Sequence, residues 1–169
     1  MIEENVLRRS ARRWREDARA LGMCDEYYES WGTPDANELM RKFVKGVDFC
    51  IEHNWPTAKM LVRNLGNDFI HKFGVWADER VGFGTRWMMV MGKCRGSVTF
   101  SGYDVSVIYV KDDSRLNIEV KDFARVSVRV FGRAKVNVVN RSYNQSFVYT
   151  HGSACKCVTT GSVKVRDCK

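Results

Sequence analysis

The chain has 169 residues, of which 28 are Lys or Arg and 20 are Asp or Glu, giving a formal charge of +8 with 44% hydrophobic and 12% aromatic residues. That composition belongs to a folded protein of one domain, or one domain with a helical appendage, because a chain of this length can bury most of its unfolded surface. Two prolines, 13 glycines without a period of three and many β-branched residues exclude collagen and disorder; no apolar run approaches the roughly 20 residues of a membrane span.

The first residues, Met1-Ile2-Glu3-Glu4-Asn5-Val6-Leu7-Arg8-Arg9, place acids before any apolar stretch and have no small-residue cleavage site, so no secretory signal is expected and the location implied is cytoplasmic. Cys24, Cys50, Cys94, Cys155, Cys157 and Cys168 are then expected as reduced thiols rather than three disulfides. Charge divides the chain. Residues 1–90 hold 14 basic and 14 acidic side chains, whereas residues 91–169 hold 14 basic and 6 acidic ones and carry the whole excess. Two regions are expected on this basis, a helical one over 1–90 and a repetitive one over 91–169.

Over residues 4–21, Val6, Leu7, Trp14, Ala18 and Leu21 recur among six arginines at helical spacing, predicting an arginine-rich helix with a narrow apolar stripe. After an aromatic linker around Tyr27-Tyr28-Glu29-Ser30-Trp31-Gly32, the string Thr33-Pro34-Asp35 offers a cap and a first-turn proline. Leu39, Phe43, Val47, Cys50 and Ile51 continue one helix to about His53. Asn54-Trp55-Pro56 breaks it, Ala58, Leu61, Val62 and Leu65 begin another that Gly66 ends, and a short helical piece follows to Phe73. Two helices about a tight break admit a helix-turn-helix reading of 35–73, with Thr57, Lys59 and Arg63 facing DNA, against the plainer reading of a packed helical hairpin.

From residue 93 the chain repeats every ten residues. Val98, Ile108, Ile118, Val128, Val138, Val148 and Val158 share one column, and Leu116, Val126 and Val136, with Phe100, Val110, Val120 and Val130, flank it at two-residue steps. That alternation is the mark of short strands with one buried face. The column Gly92, Gly102, Asp112, Asp122, Gly132, Ser142, Gly152, Ser162 holds turn formers, and Cys94, Asp104, Ser114, Ala124, Ala134, Asn144 and Ala154 are uniformly small. Equivalent residues in equivalent slots are what stacked coils produce. The expected fold class is α+β, an N-terminal helical segment capping a C-terminal β-solenoid of about seven ten-residue repeats, with an antiparallel β-meander as the alternative. Trp76, Val81, Phe83, Trp87, Met88, Met89 and Val90 are expected at the seam, and Thr159–Arg166 as one fading last strand.

The blocks Asp113-Ser114-Arg115-Leu116-Asn117-Ile118-Glu119-Val120 and Phe123-Ala124-Arg125-Val126-Ser127-Val128-Arg129-Val130 resemble the decads of bacterial and phage-associated β-solenoid proteins. The chain is also similar to small helical-plus-solenoid proteins carried by phages and mobile elements of gut bacteria. The resemblance covers about residues 93–162, lacks the tyrosine-glycine-asparagine turn of such repeats, and implies a fold without an activity or a catalytic residue.

Gly-x-x-x-x-Gly-Lys-Ser/Thr, His-Glu-x-x-His and Gly-x-Ser-x-Gly are all absent, and Gly82-Phe83-Gly84 lacks a third glycine. His53, His71 and His151 sit in no nucleophile context, so a non-enzyme without a cofactor is expected. His151, Cys155, Cys157 and Cys168 lie close in sequence, but Cys-x-Cys lacks the zinc-knuckle spacing and free thiols are the expected state. The remaining candidate is a basic flank. Arg95, Arg115, Arg125 and Lys135 occupy the slot before the first core residue, and Lys111 and Lys121 recur at a turn. With two strands per coil, Arg95, Arg115 and Lys135 stack on one face, with Tyr103, Tyr109, Tyr143 and Tyr149 nearby, against the plainer reading of a solvated solenoid flank. The expected function is a non-enzymatic binding or structural accessory protein whose partner is an acidic protein surface or nucleic acid, and not a membrane.

Overall fold

A computed structural model describes residues 4–32 and 35–168. The expected cap and proline, Thr33 and Pro34, lie outside the described residues, as do the side chains of Val6 and Leu7. The chain forms two compact units, Met1–Phe73 and Gly74–Lys169, so the division falls earlier than the charge boundary at residue 90.

The first unit is helical. Helix α1 spans Glu4–Ala20 and buries Ala11, Trp14 and Ala18, which recur every three or four residues on one face. Trp14 meets Trp55 edge-on at 5.9 Å. The aromatic linker forms a short helix, α2, over Asp25–Glu29. Asp35 caps α3 (Ala36–Lys45), its carboxylate accepting from the Glu38 amide at 2.8 Å. The run expected as one helix is split at Gly46, and α4 occupies Val47–Glu52. Helix α5 (Ala58–Leu65) is capped by Thr57 and ends at Gly66, whose φ of 80° stops the helical path. Helix α6 (Asn67–Ile70) and one turn of 3-10 helix (His71–Phe73) complete the unit as the spacing predicts.

The second unit is a parallel β-solenoid of eleven strands. These are β1 (Val75–Ala77), β2 (Arg80–Val81), β3 (Trp87–Met91), β4 (Arg95–Phe100), β5 (Val105–Val110) and β6 (Arg115–Val120), followed by β7 (Arg125–Phe131), β8 (Lys135–Asn140), β9 (Ser146–His151), β10 (Lys156–Gly161) and β11 (Val163–Cys168). The odd strands form one sheet and the even strands the other, each strand pairing with the one two ahead. Every ladder is parallel, which excludes the meander. Seven strands, β3 to β9, pair among themselves at the decad spacing of 20 residues. The other four depart from it: β1 pairs with β3 at an offset of 14 residues, β2 with β4 at 15, β10 with β8 at 21 and β11 with β9 at 17. Trp76, Val81, Met88 and Val90, expected at a seam, belong to the solenoid core itself.

That core is the stack of predicted columns. Ile108, Val128 and Val148 align across the odd sheet and Val98, Ile118 and Val138 across the even one, each 3% exposed or less. Burying each is worth about 1.5–3 kcal/mol before entropy is counted. The turn column is left-handed where the backbone must reverse tightly. Gly92, Gly102 and Gly132 have φ of 75°, 61° and 64°, and Asp112 and Asp122 hold 61° and 55°. The two aspartates are fastened by accepting from the Gly92 and Gly102 amides, one coil away, at 2.8 and 2.9 Å.

Within the repeats expected from the sequence, the periodicity fails at β10. Between β9 and β10 the turn carries one extra residue, so β10 pairs with β8 at an offset of 21 instead of 20: Cys157 lies against Val136 and Thr159 against Val138. A one-residue shift exchanges the two faces of a strand. Val158, expected in the core column, is therefore 65% exposed. The expected single last strand is two, β10 and β11, divided at Ser162.

Candidate functional site

The basic slot of the repeats becomes a straight row along the even sheet. Register pairs Arg80 with Arg95, Arg95 with Arg115, Arg115 with Lys135, and Lys135 with Lys156. All five side chains are exposed. At about 4.8 Å per strand the row is about 19 Å long. Beside it, on the same face, runs a polar row in which the Asn117 amide donates to Ser97 Oγ at 3.3 Å, with Asn137 next in register. At the β2 end the row borders an open groove of about 710 Å³ lined by Arg80, Arg95, Arg115, Lys93, Ser97 and Asn117 together with Asp78 and Glu79.

Of the other cations of the solenoid, Lys111, Lys121, Arg133 and Arg141 pair with carboxylates. Arg133 forks onto Asp113 with two bonds of 2.7 Å, which holds that carboxyl below the usual carboxylate range. Lys121 and Arg141 share Glu119 at 3.1 and 3.3 Å. Arg80, Arg115, Lys135 and Lys156 make no ion pair among the described residues. Arg95 is tied instead to the carbonyls of Cys94 and Asp113 at 2.8 and 2.7 Å, which fixes its guanidinium along the flank. The row thus brings five like charges together, their mutual repulsion eased in part by Asp113 near Arg95 and by Asp78 and Glu79 at the β2 end.

The sequence-predicted residues therefore separate. Arg95, Arg115 and Lys135 come together as expected. Arg125 is exposed but lies on the odd sheet, in register with Val105. Lys111 is 5% exposed and stands 3.6 Å from Asp112, so it is not available to a partner. Lys121 is engaged with Glu119. Arg80 and Lys156 were missed because their offsets, 15 and 21, break the decad. A cation followed directly by a small or apolar residue, as in Arg80-Val81, Arg95-Gly96, Arg115-Leu116, Lys135-Val136 and Lys156-Cys157, is the signal that finds all five.

The tyrosines do not flank the row. Tyr103 and Tyr143 stack on Phe123 at 5.2 and 5.1 Å in the turns that follow the even strands, at the opposite end from the cations. Tyr109 and Tyr149 lie on the odd sheet with the Arg129 guanidinium between them at 5.8 and 5.9 Å. The four soft residues near the C-terminus do not converge either. Cys155 Sγ donates to the Gly152 carbonyl at 3.1 Å, Cys168 pairs in register with His151, and Cys157 points into the coil. Among the described residues no group of three or more His, Cys, Asp or Glu side chains could hold a metal ion.

In the helical unit, Thr57 spends its hydroxyl on the Met60 amide at 3.3 Å. Lys59 and Arg63 line a shallow groove with Ser10, Arg13, Asp17 and Asn64. Among the described residues no helix is long and apolar enough to cross a membrane. Comparison with known proteins yields no matching family model, no matching curated protein and no matching solved structure, so the site is read from its own geometry.

Proposed function

We propose that this protein is a non-enzymatic binding or structural accessory protein, of phage or mobile-element origin and acting in the cytoplasm of the host cell, that contacts an acidic partner surface through the outer face of the even sheet. The supporting observation is the in-register row Arg80, Arg95, Arg115, Lys135 and Lys156, exposed and without carboxylate partners. A rigid line of like charges is unfavourable alone and becomes favourable when anions lie along it. The origin and setting rest on the resemblance of the repeats to phage-associated solenoids.

The test is binding of the full chain to fluorescent poly-L-glutamate and to an oligothymidylate. Binding is expected to weaken steeply between about 50 and 200 mM salt, as charge neutralisation requires. Reversing Arg115, Lys135 and Lys156 together to Glu should abolish it, while Arg125→Glu, on the other sheet, should leave most of it. Preference for poly-L-glutamate supports an acidic protein partner, and preference for the oligonucleotide assigns the same row to nucleic acid. Binding that ignores both salt and the triple reversal would refute the reading.

A second reading, DNA binding by the helix-turn-helix-like segment 35–73, draws support from Lys59 and Arg63, one turn apart on α5 beside Arg13. Its signature is sequence-selective duplex binding that survives the triple reversal and is lost in Lys59→Ala/Arg63→Ala.

A further inference from the structure

Three cations of the helical unit line one groove with little to neutralise them. The groove encloses about 440 Å³ and is lined by Arg13 and Asp17 of α1, by Lys59 and Arg63 of α5 and by Thr57, which caps α5. Arg13, Lys59 and Arg63 are all exposed. Lys59 and Arg63 stand four residues apart on one helix, where like charges are neighbours and weaken it. Neither makes an ion pair or a hydrogen bond among the described residues. Arg13 adds a third charge from the other helix. Its carboxylate neighbour, Asp17, is 4.0 Å away, beyond hydrogen-bond length. Three cations against one carboxylate leave the lining with a net charge of +2.

The neutral groups of the groove are mostly engaged. Ser10 Oγ donates to Asn64 Oδ1 at 3.1 Å, and Asn64 Nδ2 donates to the Met60 carbonyl at 2.7 Å. Thr57 Oγ1 accepts from the Met60 amide at 3.3 Å, which leaves its own hydrogen free to donate. The groove thus offers two guanidinium forks, one ammonium and one hydroxyl, a set suited to the oxygens of an anion. Half-buried Met60 supplies apolar surface beside them.

We propose that this groove binds a small organic phosphate monoester, with the phosphate held by Arg13, Lys59, Arg63 and the Thr57 hydroxyl and the organic part lying against Met60. A phosphate monoester carries about −1.5 to −2 charges near neutral pH, which cancels the net charge of the lining. A carboxylate brings only one charge. A phosphodiester, the group that DNA would set against Lys59 and Arg63, also brings one. The volume falls within the range of about 300–1,000 Å³ that takes small molecules.

Phenyl phosphate and methyl phenyl phosphate test this directly, since they share a ring and differ by one negative charge. Ligand-detected NMR titration of the full chain at neutral pH should show saturable binding of phenyl phosphate, and the diester should bind about tenfold more weakly. Arg13→Gln/Arg63→Gln takes one cation from each helix and keeps good helix formers at exposed positions. It should weaken phenyl phosphate at least about tenfold, because charge-assisted bonds are lost, with the helical circular dichroism unchanged. Arg9→Gln/Arg12→Gln removes the same charge from exposed positions of α1 that do not line the groove, and should change the affinity by no more than about twofold. No saturable binding to the native chain, or equal losses in the two double variants, would overturn the proposal. Equal affinity for the two esters would also overturn it, and would assign the groove to phosphodiesters instead. Should Arg13→Gln/Arg63→Gln fail to fold, the comparison of the two esters on the native chain still decides.

Discussion

Val128 and Val158 occupy the same column of the decad and should respond oppositely to truncation. Val128 is fully buried between Ile108 and Val148 of the neighbouring coils, whereas the extra residue before β10 turns Val158 outward, 65% exposed. Val128→Ala removes two buried carbons at about 0.8 kcal/mol each, and the residual cavity brings the loss to about 2–3 kcal/mol. Val158→Ala should stay within about 0.5 kcal/mol, as exposed substitutions do. With a urea slope of about 1–2 kcal/mol/M, Val128→Ala lowers the solenoid's midpoint by roughly 1–3 M and Val158→Ala hardly moves it. Equilibrium urea unfolding followed by far-UV circular dichroism measures both. Equal losses at the two positions would show that β10 keeps the decad register, and the assigned pairing of β10 with β8 would be wrong.

Other consequences follow from single side chains. Asp122→Ala must hold φ near 55° with a Cβ and without the bond to the Gly102 amide, so a loss of about 2 kcal/mol is expected; Asp122→Gly keeps the conformation and should lose less, which thermal melts can resolve. His151 stacks on Phe131 at 4.3 Å with Nε2 buried and unpartnered, and burial followed by the Arg129 charge lowers its pKa. Because the unfolded chain then takes up the proton more readily, this contribution to stability is complete above the ordinary histidine pKa of about 6.5 and is lost as pH falls through the folded value. His151→Phe should flatten the dependence of melting temperature on pH below about 6.5, and an unchanged slope would exclude His151 as its source. Gly96→Ala should be strongly destabilising, since its Cβ would lie 2.6 Å from the Val81 carbonyl oxygen and 2.8 Å from the Val81 Cβ, and Val81→Ala, which keeps both atoms, should leave the loss unrelieved in a double-mutant cycle.

Local chemistry made much of this protein legible from its sequence. Alternation at two-residue steps needs only neighbouring residues to declare a strand with a buried face, and turn formers in the column from Gly92 to Gly132 mark where the backbone must turn left-handed. The helix from Ala58 to Leu65, set off by Asn54-Trp55-Pro56 and ended by Gly66, was equally plain, because breaks and terminations are local events, whereas the cap by Thr57 appeared only in the structure. The stacking of Arg95, Arg115 and Lys135 also followed from two strands per coil. Parallel direction was decided only by the tertiary structure, since a decad is compatible with either hand of pairing. So was the strand register at both ends, where offsets of 14, 15, 21 and 17 replace 20. Such offsets carry no periodic signal, because an added or missing residue is absorbed in a turn whose length the core does not dictate. That is why Arg80 and Lys156 joined the cationic row unannounced and Val158 left the core.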